Sequence, residues 1–261
     1  MPVSIEVIGP AAVVTLDWPA VRNALTVDDM TAVAQAVRAA ADDPGVSAVV
    51  LTGNGAFCAG ANLRRLTADL AGGSSPRQTI EGPAQGLIRA VLEVPVTTIA
   101  AVDGPAVGLG FDLALACDSR LIGPDGWCMQ GWGRIGLIPG TGGELLLRRL
   151  NPAILWMLLE RQPRLDGPLC HQWGIGEPVT EGPARDAAIL RARTLARQLT
   201  RPAIEGYVQL SRAGIRADLS KHLELCTAIQ ASLLASPEFT TRADTVLRGP
   251  ARSGDNAARQ D

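Results

Sequence analysis

Two glycine-rich stretches of this chain have the composition needed to hold negative charge on backbone groups. "GNGAFCAGANLRRL" carries Gly53, Gly55 and Gly60, and "AVDGPAVGLGFDLALACD" carries Gly104, Gly108 and Gly110. Each follows an apolar run and leads into a helix-capable segment. Glycine at a strand exit lets the chain turn with its N–H groups unpaired and lets a ligand approach the backbone closely. Two such N–H groups aimed at one point would hold a carbonyl oxygen as it takes up charge. A third stretch, "QGWGRIGLIPGTGGELL" from Gln130 to Leu146, has the pattern of a strand exit, a glycine-rich turn and a helix start.

The elements that must present these turns follow from periodicity. "IEVIGPAAVVTLDWP" predicts a hairpin turning at Gly9-Pro10. Thr26 precedes a helix with Asp28 and Asp29 in its first turn and Met30, Val33, Ala34 and Val37 at helical spacing. Gly45 ends it before "SAVVLTG", a β-branched run suited to a buried strand. The same order then recurs: a helix from about Arg77 to Leu92, a strand from Val96 to Val102, and a helix from Gly108 to Cys117. This alternation predicts an α/β core of ββα-like units around a largely parallel sheet. The small, polar segment from Leu66 to Thr79 reads as a mobile loop beside the site. Past Arg185 the strand signals stop and three helix-period segments follow, "RDAAILRARTLARQL", "PAIEGYVQLSRAGI" and "LSKHLELCTAIQASLLA". The expected division is a core over 1–184, a helical region over 185–248 and a disordered tail over 249–261.

Composition removes several function classes. With 261 residues, 47% of them hydrophobic and 19% charged, the chain can bury a large core. Its formal charge of −2 is spread without a basic block, which argues against nucleic-acid binding. Cys58, Cys117, Cys128, Cys170 and Cys226 are odd in number and widely spaced, which argues against a disulfide framework or a metal site and fits a reducing, cytoplasmic setting. The opening "MPVSIEVIGP" lacks the basic and apolar regions of a secretory signal. The apolar span from Val94 to Leu115 is broken by Pro95, Asp103, Gly104, Pro105 and Asp112, and reads as core, not as a membrane helix.

Four motifs in order, "RNAL" (Arg22 to Leu25), "AFCAGANL" (Ala56 to Leu63), "AVDGPAVGLGFDLALACD" (Ala101 to Asp118) and "GLIPGTGG" (Gly136 to Gly143), resemble the crotonase superfamily, the enoyl-CoA hydratase/isomerase family. The resemblance runs from about Ile5 to Val179 and weakens in the C-terminal helices. It implies a spiral of ββα turns followed by helices that pack protomers into a homotrimer or a dimer of trimers. The implied ligand is an acyl chain thioesterified to coenzyme A, taken as substrate, with no bound cofactor. Carried onto this chain, the two oxyanion donors are the N–H groups of Ala61 and Leu109. The CoA-binding positions are Arg22, Ala24, Ala59, Ala61 and Leu63, with the adenine end near Arg22 and Ala24. Asn62 stands where aspartate is usual, and its amide could still hold the loop.

The departures fall on the acids. Hydratases of the family use two glutamates to add water to a 2-enoyl thioester. The first of these positions falls on Asp112 and the second on Trp132. Aspartate loses about one ångström of reach, a misplacement that can cost roughly a hundredfold in rate. Tryptophan has an N–H donor and no acceptor, so it can orient a group but cannot shuttle a proton. Asp112 is thus the first candidate acid or base. Glu144, after Gly142-Gly143, is the second, although an acid in a first helical turn also serves the helix dipole.

Trp132 reads as a wall of the acyl pocket. Family dehalogenases carry tryptophan at this position, but their nucleophilic aspartate would fall on Gly140. Arg134 could meet an acyl carboxylate or lie at a surface. His171 and His222 read as structural or surface residues, Cys58 as a small buried apolar residue, and Trp18 as either near the cofactor or packing. The default expectation is an enoyl-CoA hydratase or isomerase. The alternatives are a non-catalytic acyl-CoA-binding homologue and a crotonase with altered thioester chemistry.

Overall fold

The computed structural model describes residues 2–248. Among the described residues nine strands form two sheets. Val3–Ile8 (β1) and Ala11–Leu16 (β2) make the expected antiparallel hairpin, and β2 then pairs in parallel with Ala48–Gly53 (β3). Thr97–Val102 (β4), Ser119–Ile122 (β6) and Glu177–Pro178 (β9) extend the sheet in parallel, giving the order β1-β2-β3-β4-β6-β9. Pro105–Val107 (β5), Trp127–Met129 (β7) and Leu165–Asp166 (β8) form a second, three-stranded sheet. The apolar run predicted as core is buried along the whole of β4 after Thr97 and through the following helix.

Val27–Asp42 (α1) begins at Thr26, whose side chain takes the Asp29 N–H while Asp29 takes the Thr26 N–H, a reciprocal cap that fixes the helix start. The segment expected to be a loop is instead largely helical: Leu63–Ala71 (α2) ends at Gly72, and Pro76–Thr79 (α3) is capped by Ser75. Its small and polar residues obscured a helix that rests on only a few apolar positions. Gln85–Glu93 (α4) follows after a π-helical turn, Ile80–Ala84, where Pro83 denies the backbone a donor. Leu109–Ala116 (α5), Gly143–Leu150 (α6), Leu155–Arg161 (α7) and Gly167–Gln172 (α8) complete the first part.

The C-terminal segment holds Ala184–Gln198 (α9), Arg201–Leu234 (α10) and Pro237–Arg248 (α11). Two of the helical segments anticipated from sequence are thus one helix of 34 residues, and α11 is an addition. The tail expected over 249–261 lies outside the described residues. Arg212, 2% exposed, fastens α10 to the core. Its guanidinium donates to both oxygens of Asp118 and to the carbonyls of Val91, Leu92 and Val94, so it caps the end of α4 and holds the start of β4 and β6. Burial would raise the Asp118 carboxyl, but the bonds and charge of Arg212 outweigh it and hold it below the usual range. Among the described residues no helix is long and apolar enough to cross a membrane, and no group of three acidic, histidine or cysteine side chains could hold a metal ion.

Candidate active site

Parallel neighbours β3 and β4 end on the same edge of the sheet, so the two glycine turns leave it side by side. They are stitched together: Cys58 N–H donates to Pro105 O at 3.0 Å and Val107 N–H donates to Cys58 O at 3.0 Å. The "RNAL" segment adds a third rung. Leu25 N–H donates to Gly60 O and Asn62 N–H to Leu25 O, both at 2.8 Å, while Asn23, fully buried, donates to Ala56 O at 2.6 Å and accepts from Trp18 N–H at 2.7 Å. Arg22 and Asn23 both adopt left-handed backbone to make this turn. Asn62 caps α2 by accepting the Arg65 N–H, so the amide that replaces the usual aspartate does hold the loop.

The ladder leaves several donors unused, those of Ala61 and Leu109 among them. Among the described residues neither Ala61 N–H nor Leu109 N–H has an acceptor; Leu109 is the first residue of α5, where a helix makes no use of the N–H. Gly60, at φ +104°, brings the turns together: a Cβ there would lie 2.8 Å from Val107 O and 3.7 Å from Leu109 N.

Two recesses meet at these donors. One is a narrow apolar cleft whose walls include Leu25, Met30, Ile80, Leu137 and Leu234. The other is a wider groove that holds Arg22, Arg134 and Arg164, with the Arg164 guanidinium 4.5 Å above the Trp127 ring. None of these three arginines is paired with a carboxylate among the described residues. Ala61, Leu66, Leu109 and Trp132 line both recesses. Ala59 and Leu63 line the groove as well, whereas Ala24 is not on its wall and turns its N–H back to Val21 O.

Asp112 lies one turn into α5 and is only 2% exposed. Trp132 Nε1 donates to its Oδ2 at 3.0 Å, and Thr141 Oγ1 donates to the same oxygen at 2.5 Å. Its other oxygen rests against Gly143, where any Cβ would overlap it. Burial lifts the Asp112 carboxyl to about 7 in spite of the two donors, which pull the other way. Trp132 and Thr141 line the apolar cleft; Asp112 does not, and instead faces a separate small cavity shared with Gln130 and Glu144. Gln130 Nε2 is buried there without a partner.

Glu144 is drawn away from the cleft by Arg148 at 2.9 Å and His222 at 3.5 Å. The structure therefore places Trp132 beside the two donors and bonds Asp112 to it from behind, while Glu144 lies with Asp112 on the far side. His222 packs against Glu144, with burial lowering its pKa first and the Glu144 charge opposing, and His171 is exposed. Arg134 sits on the groove side of Trp132, not in the cleft. Cys58 is buried with its thiol pushed up to about 12 by desolvation, which makes it a packing residue, and Trp18 packs against the core.

Thr141 and Arg164 were not anticipated. Thr141 lies inside the quoted "GLIPGTGG", where a lone hydroxyl among glycines was the available signal, and Arg164 lies in a stretch with none. The Thr141 loop is fixed from outside: Gln85 Nε2 donates to Gly140 O at 3.0 Å, and Gln230 Oε1 accepts Ile138 N–H at 3.1 Å.

A family model described as "Enoyl-CoA hydratase/isomerase" matches residues 9–245. A relative named "Probable enoyl-CoA hydratase EchA14", from Mycobacterium tuberculosis (strain ATCC 25618 / H37Rv), is 35% identical over 258 residues, covering 92% of this chain and 95% of its own. A mitochondrial methylglutaconyl-CoA hydratase of Rattus norvegicus is 30% identical over 216 residues, covering 80% of this chain and 65% of its own. The crystal structure of an enoyl-CoA hydratase from Mycobacterium avium subsp. paratuberculosis K-10 superposes with a TM-score of 0.78 at 27% identity, covering 94% of this chain and 98% of that one. One from Bacillus halodurans gives 0.85 at 22% identity and 94% and 99% coverage, a likeness of fold. With the motifs, the sheet order and the match along nearly its whole length in agreement, the chain belongs to the enoyl-CoA hydratase/isomerase family of the crotonase superfamily.

Proposed function

We propose that this site binds an acyl-CoA thioester, holds its enolate oxygen between the N–H groups of Ala61 and Leu109, and moves a proton beside the thioester with Asp112. The observation that carries this reading is that both unpaired donors lie where the apolar cleft meets the arginine-bearing groove. An acyl chain fits the first, and the phosphates of coenzyme A fit Arg22, Arg134 and Arg164 in the second. A thioester oxygen at the junction would receive two backbone hydrogen bonds, worth most when negative charge has developed on it.

One carboxylate with an indole at its partner position favours proton shuttling over two-acid hydration. On a 3-enoyl thioester the C2–H bond breaks, its electrons form a dienolate with charge on the thioester oxygen, and the same proton returns at C4 to give the conjugated 2-enoyl isomer. Burial that brings the Asp112 carboxyl to about 7 suits a group that takes up and returns a proton near neutral pH. Exposed Tyr207, Leu210, Leu225 and Ile229 on α10 favour self-association as a trimer or dimer of trimers. Five buried, unpaired cysteines favour a cytoplasmic setting.

Calorimetry with butyryl-CoA, beside absorbance assays of hex-3-enoyl-CoA and crotonyl-CoA, tests the reading. Saturable butyryl-CoA binding and faster isomerisation of the 3-enoyl ester than hydration of the 2-enoyl ester support it. Absence of binding defeats the acyl-CoA site. Binding without turnover reduces the protein to an acyl-CoA binder.

A further inference from the structure

The acid and the cleft are not in direct contact. Asp112 lies behind Trp132 and Thr141, and only those two face the apolar cleft. Trp132 offers a donor and no acceptor, so it cannot take a proton from a ligand. Thr141 is different: its Oγ1 donates to Asp112 Oδ2 at 2.5 Å, and no donor among the described residues occupies its lone pairs. A hydroxyl so placed can accept a proton on one side while it releases its own on the other.

Building on the proposed acyl-CoA chemistry, we infer that Thr141 is the catalytic residue that touches the substrate, passing the proton between the acyl carbon and Asp112. In one concerted step the C2–H bond breaks and its proton joins Thr141 Oγ1. The Thr141 O–H bond breaks as its proton joins Asp112 Oδ2, and the C–H electron pair becomes the enolate. The reverse step hands a proton from Asp112 through Thr141 to carbon. Thr141 ends each passage unchanged. Trp132 keeps the same carboxylate oxygen turned toward the hydroxyl, because both donors meet on Oδ2. The Gln85 and Gln230 contacts that pin Ile138 and Gly140 set the reach of Thr141.

Thr141→Val keeps the shape and removes the hydroxyl; Thr141→Ser keeps the hydroxyl. Isomerisation of hex-3-enoyl-CoA, measured in H2O and D2O with calorimetry of butyryl-CoA on each sample, separates the cases. A relay predicts that the Val variant binds as tightly as the unaltered protein, loses about a hundredfold or more in kcat, and that Ser restores most of it. It also predicts a slower unaltered enzyme in D2O, since the exchangeable hydroxyl proton is in flight with the carbon-bound one. Turnover by the Val variant at the unaltered rate, or no solvent isotope effect, overturns the relay and leaves the acyl-CoA site standing. Binding without any turnover also overturns it. Loss of butyryl-CoA binding in the unaltered protein defeats the acyl-CoA site and the relay together.

Discussion

The indole Nε1 of Trp132 lies 3.0 Å from Oδ2 of Asp112, so the side chains at the two positions where relatives of this family are expected to carry glutamates are joined by a hydrogen bond. The tryptophan does more than fill the pocket. As a donor it stabilises the charged form of an acid that burial alone would drive still further toward neutrality.

Replacing Trp132 by Phe therefore raises the Asp112 pKa above about 7 while retaining most of the cleft wall. Proton removal by Asp112 needs the carboxylate, so in the unaltered protein kcat rises with pH through about 7. In Trp132→Phe the same rise moves to higher pH. A pH–rate profile with its midpoint unmoved would show that the indole does not tune the acid.

The same burial gives a stability signature. The folded pKa of Asp112 stands above its ordinary value of 3.8, so the folded chain binds more protons than the unfolded one between about 4 and 7. Stability from this group is complete below that window and is lost as pH climbs through it. Urea unfolding of Asp112→Asn is expected to show a gain over the unaltered chain that grows from pH 4 to pH 7 and then levels.

Gly143 is the neighbour that Asp112 leans on, and a methyl group there meets Oδ1 directly. Gly143→Ala displaces the carboxylate from Thr141 and lowers turnover by about a hundredfold, the scale of an ångström's misplacement. Butyryl-CoA affinity stays within a few fold, because Gly143 lines neither the cleft nor the groove.

Arg212 tests the fold instead of the chemistry. It is buried and satisfies Asp118 together with carbonyls at the end of α4. Arg212→Met removes the buried cation from those carbonyls and from the carboxylate, which keeps only its Thr97 and Thr98 donors, and denaturant titration should register a loss of about 3–5 kcal/mol.

How much of this was legible in the sequence depends on range. Turns at Gly60 and Gly108, the Thr26 cap and the β-branched strands are local, and their residues state what the backbone does. The helix at Leu63–Ala71 was legible only at its start, because the small and polar residues from Leu66 through Ser75 look like loop and none of its side chains is buried. Helix α10 read as two because Gly214 and Ala217 interrupt its apolar pattern, yet no proline breaks its interior. The candidate site is legible only in part: the family resemblance singled out Ala61, Leu109, Asp112 and Trp132, whereas the bonds joining Asp112 to residues 20 and 29 positions away arise from the folded chain. Glu144 had the right residue type, and its partners Arg148 and His222 turn it elsewhere.

The central claim is that Asp112 supplies the proton chemistry of an otherwise complete acyl-CoA site. Turnover of hex-3-enoyl-CoA by Asp112→Asn, with butyryl-CoA calorimetry on the same sample, tests it most directly. The account predicts unchanged binding and loss of turnover. Binding with undiminished turnover would contradict it and place the acid elsewhere.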